Sequence, residues 1–163
     1  MSNEAPLFED DAISRILTPD TALPTQMTPT RLVEYMTRNN FTFFSDEHGD
    51  LFGIWDRRNF VFSVREDGML QVRAMWQREA SIDRLEALLE ALNYWNESRI
   101  WPKTYLRVDD GGGVVMFAEQ NHLLTDGITD TQLDDLVDCA ISTSLMFFDF
   151  LEETFPDPLK EAM

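Results

Sequence analysis

The chain has 163 residues, 44% of them apolar, and carries 30 acidic against 13 basic side chains for a formal charge of −17. That length suits one domain with a sizeable core and is too short for two of ordinary size. A surface so negative repels phosphodiesters and anionic headgroups, so neither nucleic acid nor membrane is expected as a partner.

Residues 1–27 read as an N-terminal arm, because Pro6, Pro19 and Pro24 interrupt regular backbone. Within it, Phe8, Ala12 and Ile16, with Ile13 and Leu17 beside them, have the spacing of a short amphipathic helix. The remainder, 28–163, reads as a single domain. Thr28-Pro29 pairs a capping hydroxyl with a proline at the first helical position and opens a helix whose apolar side is Leu32, Val33, Tyr35 and Met36. Asn39-Asn40 supplies its stop.

From Phe41 the period changes. The segments FTFF, LFGIW, NFVFSV and MLQVRAMW are β-branched and aromatic, bounded by DEHGD, DRRN and REDG, which predicts four strands in a meander. Asp67-Gly68 is the sharpest turn signal and suggests a tight two-residue hairpin. Leu70, Val72, Ala74 and Trp76 alternate with polar neighbours, so one face of that strand is buried. Ser81 caps a second helix with a stripe of Ile82, Leu85, Leu89, Leu92 and Trp95; Pro102 bars its continuation, and KTYLRV and VVMFAE follow as two further strands. A last helix opens at Thr129-x-x-Gln132, a capping-box pattern. The fold class is therefore α+β, an antiparallel sheet with helices packed on it in the order α-ββββ-α-ββ-α.

The loop VDDGGGVV, at residues 108–115, invites comparison with a phosphate cradle, but such a cradle needs a helix directly after it. Here a strand follows, and Asp109 and Asp110 would face the anion with like charge. A hairpin turn is the better reading. His48 and His122 lack partners at metal-site spacing, and DGITDTQLDDLVD places Ile128 and Thr131 where a calcium loop needs its own residues. No GxSxG elbow occurs, and Cys139 lies mid-helix among apolar neighbours. Hence no catalytic residue, no metal ligand and no cofactor is assigned.

The single cysteine suits a reducing compartment, and no stretch approaches the roughly 20 apolar residues of a membrane span. A cytoplasmic location is expected. Charge is uneven: residues 1–56 carry 3 basic and 10 acidic groups, 57–107 carry 9 and 7, and 108–163 carry 1 and 13. Around LMFFDF the apolar residues of the last helix spread around most of its circumference, more than one sheet should consume. Met146, Phe147, Phe148 and Phe150 are therefore the candidate partner-binding residues.

NYWNESRIWPKTYLRVDDGG followed by DGITDTQLDDL resembles the YbjN family of bacterial sensory transduction regulators, through Asn93, Trp95-Asn96, Lys103, Tyr105, the Asp109-Asp110-Gly111 turn and Gly127-Ile128-Thr129. The likeness covers most of residues 28–155; the arm before Thr28 and the extra Gly112 and Gly113 depart from it. It implies a fold similar to type III secretion chaperones, which dimerise and bind other proteins without catalysis. The expected function is thus a non-enzymatic, chaperone-like or regulatory protein-interaction module acting as a homodimer. The alternative is a small-molecule sensor, with a pocket lined by residues such as Trp55, Phe62 and Trp76. An enzyme would require carboxylates from separate strands to converge on a cleft.

Overall fold

The computed structural model describes residues 2–4 and 22–157. The short helix expected within the arm lies outside the described residues. Helix α1 spans Pro29–Arg38, with the Thr28 hydroxyl accepting from the Arg31 amide and Pro29 in the first turn. It ends at Asn39, and Asn40 turns the chain with a positive φ of 56°. Leu32, Tyr35 and Met36 are buried as expected, but Val33 faces outward at 37% exposure, because it falls outside the four-residue repeat that contacts the sheet.

Strands β1 (Phe43–Ser45), β2 (Leu51–Trp55), β3 (Arg58–Val64) and β4 (Met69–Met75) form the meander. A two-residue strand β5 (Ala80–Ser81) follows, which the sequence reading did not contain. Then come a 3-10 turn over Ile82–Arg84, helix α2 (Leu85–Ser98), strands β6 (Lys103–Val108) and β7 (Gly113–Leu123), and helix α3 (Asp130–Thr154). All pairings between strands are antiparallel, and the sheet runs β1-β2-β3-β4-β7 with β6 beyond β7. Val114 pairs with both Ala80 and Val108, so β5 continues the β4 side of β7 while β6 forms the opposite edge.

Two turns differ from the sequence reading. At Asp67-Gly68 the loop holds three residues, Glu66 to Gly68: the Arg65 amide bonds to Met69 O at 2.9 Å and Gly68 takes φ +81°. The tight two-residue turn lies instead between Trp55 and Arg58, where Asp56 and Arg57 both adopt positive φ. In the DDGGG segment, Asp109 Oδ1 accepts from the amides of Gly111 at 3.0 Å and Gly113 at 2.7 Å, and β7 starts at once. The carboxylate occupies the very amides that a phosphate would need, so the loop is a hairpin turn.

Paired residues share a face. Leu51, Phe62, Val72 and Gln120 form one inner row; Gly53, Phe60, Ala74, Ala118 and Thr104 form the next. This inner face carries the core, and α1, α2 and α3 pack on it. The buried stripe of α2 is Leu88, Ala91, Leu92 and Trp95, whereas Ile82 and Leu89 are exposed at 47% and 42%. Leu92 and Trp95 of the expected stripe are buried, but Leu88, next to Leu89 in an apolar pair, takes the core-facing position, and Ile82 lies in the 3-10 turn before the α-helix begins.

Helix α3 explains its own apolar girth. On one flank, Trp95 of α2 meets Phe147 and Phe150 at centroid separations of 5.2 and 5.6 Å. On the other, Arg31 and Arg38 of α1 reach Asp130 and Asp134. Its N-terminus carries the complete capping box of Thr129 and Gln132. Near its C-terminus Glu152 accepts from Trp76 Nε1 at 3.0 Å and from Arg78, tying the helix to the end of β4.

Candidate binding face

The face of the sheet opposite the helices is uncovered by any described helix. Register assigns it two rows: Phe44, Phe52, Val61, Arg73, Glu119 and Lys103, and beside them Ile54, Asn59, Met75, Phe117 and Tyr105. The second of these rows and the apolar half of the first line a concavity of about 780 Å³. Its walls are aromatic. Phe44 stacks on Phe52 at 4.8 Å with an interplanar angle of 9°, and across the floor Tyr105 stacks on Phe117 at 5.2 Å. Val61, Met75 and Ile54 supply the aliphatic floor between them.

Polar groups cluster at one side of this trough. Glu119 accepts from the Tyr105 hydroxyl at 2.6 Å, from Asn121 at 2.7 Å and from Gln71 at 3.3 Å. Burial, and then the hydrogen bond and charge of Glu119, push the Tyr105 phenol up to about 12, although Arg73 nearby pulls the other way. The Arg107 guanidinium sits 5.6 Å over the Phe117 ring. Residues 2–4 close the rim: Asn3 donates its amide to Ile54 O at 2.6 Å, and its side chain exchanges hydrogen bonds with the backbone of Thr42.

The four residues singled out on the last helix separate. Phe147 and Phe148 are fully buried within one chain, Phe150 is half-buried against Tyr94 and Trp95, and Met146 is 53% exposed. The expectation that all four face a partner is corrected for Phe147 and Phe148, whose rings the flanking helices and the sheet already enclose. Trp55, Phe62 and Trp76, proposed as the lining of a sensor pocket, are likewise closed core, at 0%, 0% and 2% exposure. The signal for the real concavity was present in the alternation of Phe52, Ile54, Val61 and Met75, but alternation marks two faces without saying that both are apolar.

The remaining candidates stand apart from the trough. His48 is exposed in the β1–β2 turn beside Glu47, and His122 lies on the inner face, bonded to Gln120 at 3.1 Å and near Trp101, where burial lowers its pKa. Burial raises the Cys139 thiol, which keeps it protonated. Among the described residues no group of three His, Cys, Asp or Glu side chains could hold a metal ion.

The same fold occurs in solved structures. The crystal structure of YbjN from E. coli, described as "a putative transcription regulator", matches with a TM-score of 0.66 at 15% identity, over 77% of this chain and 91% of that one. An uncharacterised protein from Methanothermobacter thermautotrophicus matches with a TM-score of 0.54 at 10% identity, over 78% of this chain and 99% of that one. Among curated proteins none matches. The model of the YbjN family, described as "Putative bacterial sensory transduction regulator", matches residues 28–153, and the chain belongs to that family.

Proposed function

We propose that this chain is a non-enzymatic regulator that works by binding other proteins through the open face of its sheet. One observation carries the reading: a sheet whose described helices lie on one side leaves, among the described residues, an aromatic-walled apolar trough on the other. Exposed apolar surface that is contiguous and rimmed by polar groups is what an interaction site requires. The charge of −17 opposes direct contact with nucleic acid, which favours a protein partner over a nucleic-acid one. The homodimer of this reading would use the seam of α2 and α3, where Tyr94, Met146 and Phe150 leave a smaller apolar patch. No helix among the described residues is long and apolar enough to cross a membrane.

A chaperone-like role would be one form of this binding. A second reading, a small-molecule sensor, is supported by the size of the trough, which falls in the range of roughly 300–1,000 Å³ usual for ligand sites.

Val61 stands at the centre of the floor, and Val61→Asp leaves the inner face untouched. Tagged wild-type and Val61→Asp chains would be compared in quantitative capture from native cytosol. Proteins captured by the first and lost from the second are expected. Identical capture would exclude the open face. Light scattering at high micromolar concentration checks the homodimer, and a monomer there would remove that part.

A further inference from the structure

We propose a second interaction surface, separate from the trough: the free edge of β6, which takes an extended, basic segment of another protein as an added strand. Hydrogen-bond direction carries the argument. The Asp109 amide donates to Gly113 O at 2.9 Å, so in the β6–β7 register the backbone groups of Lys103, Tyr105 and Arg107 turn towards β7, and those of Thr104, Leu106 and Val108 turn away from it. Thr104 fixes the same direction, since its carbonyl accepts from the side-chain amide of Asn96 on α2 and its amide donates to that side chain's oxygen, each at 2.9 Å. Asn96 thus stands where a residue of a neighbouring strand would stand, and it seals one position only. Among the described residues nothing bonds the outward groups of Leu106 and Val108.

The other described edges offer no such run. β1 has three residues, and Asn3 of this chain already bonds to Ile54 and Thr42 beside it, while β5 has two. β6 has six, in unbroken register and without a proline, and Arg107, a charge that could guard the edge, leans inward over the Phe117 ring. Alongside runs α2, from Ile82 just before it, whose amide donates to Gly112 O, to Asn96 at Thr104. Leu89 lies about two turns before Asn96 on the same side of that helix. With Ile82 and Val108 it flanks the open positions with exposed apolar surface. Glu86, Glu90 and Asp110 are exposed around this strip on a chain of charge −17, so charge selects a basic segment and opposes a second copy. Two-fold pairing of Leu106 with Val108 between copies would also set their Arg107 side chains opposite each other, a like-charge contact in the closer type of pair.

Amide exchange of the full chain, read by NMR, tests the edge directly: with no occupant, the Leu106 and Val108 amides should exchange far faster than those of Tyr105 and Arg107. Random peptides of about eight residues are then selected by display against the immobilised full chain. Binders are expected to place apolar residues at alternate positions, to carry Lys or Arg, and to slow exchange at Leu106 and Val108 by about tenfold or more. Val108→Pro, which removes an outward N–H and spares the ladder to β7, should weaken them about tenfold. Circular dichroism checks that this variant folds, and Glu86→Gln with Glu90→Gln, which leaves the backbone alone, should weaken them about threefold. Methylating the peptide's amides one at a time should abolish binding at every second position and spare it between, a period that side-chain docking does not produce. Val61→Asp should leave these binders intact, so the edge and the trough stand or fall separately. Protection of Leu106 and Val108 in the unliganded chain would overturn the proposal: independent of concentration, it marks a segment of the same chain on the edge, and rising with concentration, a second copy. So would binders without basic residues, binders that tolerate methylation throughout, or a selection that yields none sensitive to Val108→Pro.

Discussion

Asp149 of α3 accepts from Nη2 of Arg58 at 3.0 Å, so the side chain that closes the β2–β3 hairpin is tied to a helix 91 residues away. Arg58 is only 3% exposed and also pairs with Asp56, while its guanidinium lies 5.9 Å over the Phe148 ring. Its Nε has no hydrogen-bond partner among the described residues. Both carboxylates are more than half exposed and can return to water if the arginine is lost. The apolar stem and the stacked plane are therefore what the core needs most.

Arg58→Met is accordingly expected to stay within about 1 kcal/mol of wild type, whereas Arg58→Ala, which opens a cavity, should cost about 2–4 kcal/mol. Urea unfolding of both variants measures the difference. Equal losses would show that the ion pairs dominate over the packing.

Gly53 lies on the inner face directly beneath the Trp55 indole, and a Cβ there would overlap the ring. Trp55 is fully buried among Phe60 and Phe62, at centroid distances of 5.4 and 5.5 Å, and has no room to retreat. Gly53→Ala should destabilise by about 1–3 kcal/mol. At Gly113 the crowding atoms belong to the far ends of Glu79 and Asp109, so Gly113→Ala should cost less. Thermal unfolding of the two variants side by side tests the ranking.

Phe148 and Met146 are two residues apart and physically unlike. Phe148→Ala should cost about 3–5 kcal/mol, because a fully enclosed ring is removed from a core that cannot collapse around the void. Met146→Ala should change stability by no more than about 0.5 kcal/mol. If the seam of α2 and α3 mediates self-association, Met146→Asp lowers the mass seen by light scattering without unfolding the chain. An unchanged dimer mass would place the contact elsewhere.

Tyr105 should ionise late. Its folded pKa of about 12 lies above the ordinary 10.0, so the stability that it contributes is fully present below pH 10 and is lost as pH rises from there through 12. The tyrosinate absorbance of wild type minus that of Tyr105→Phe isolates this group. Glu119→Gln should bring the transition down towards 10 but not to it, since burial remains the largest cause. A transition at the ordinary value in wild type would mean that the trough wall is open to water.

Much of the fold was legible because periodicity and turn chemistry are local properties. Thr28-Pro29 and Thr129-x-x-Gln132 marked the starts of α1 and α3, and the four-strand meander followed from aromatic and β-branched runs between turn clusters. Local rules also misplaced details. In α2 the core took Leu88 where the adjacent Leu89 was expected, and the two-residue hairpin fell at Asp56-Arg57, where no glycine announces it.

By itself, then, the chain of residues determined which segments become helix or strand and how acidic the surface must be, since these depend on neighbours within a few positions. Only the tertiary structure decided that α3 lies between α1 and α2, which encloses Phe147 and Phe148 and turns an expected interface into core. It also decided that the three described helices share one side of the sheet, so that among the described residues Phe52, Val61 and Phe117 face a trough. The reason is that burial is a relation between distant segments, whereas hydrophobicity belongs to each residue alone.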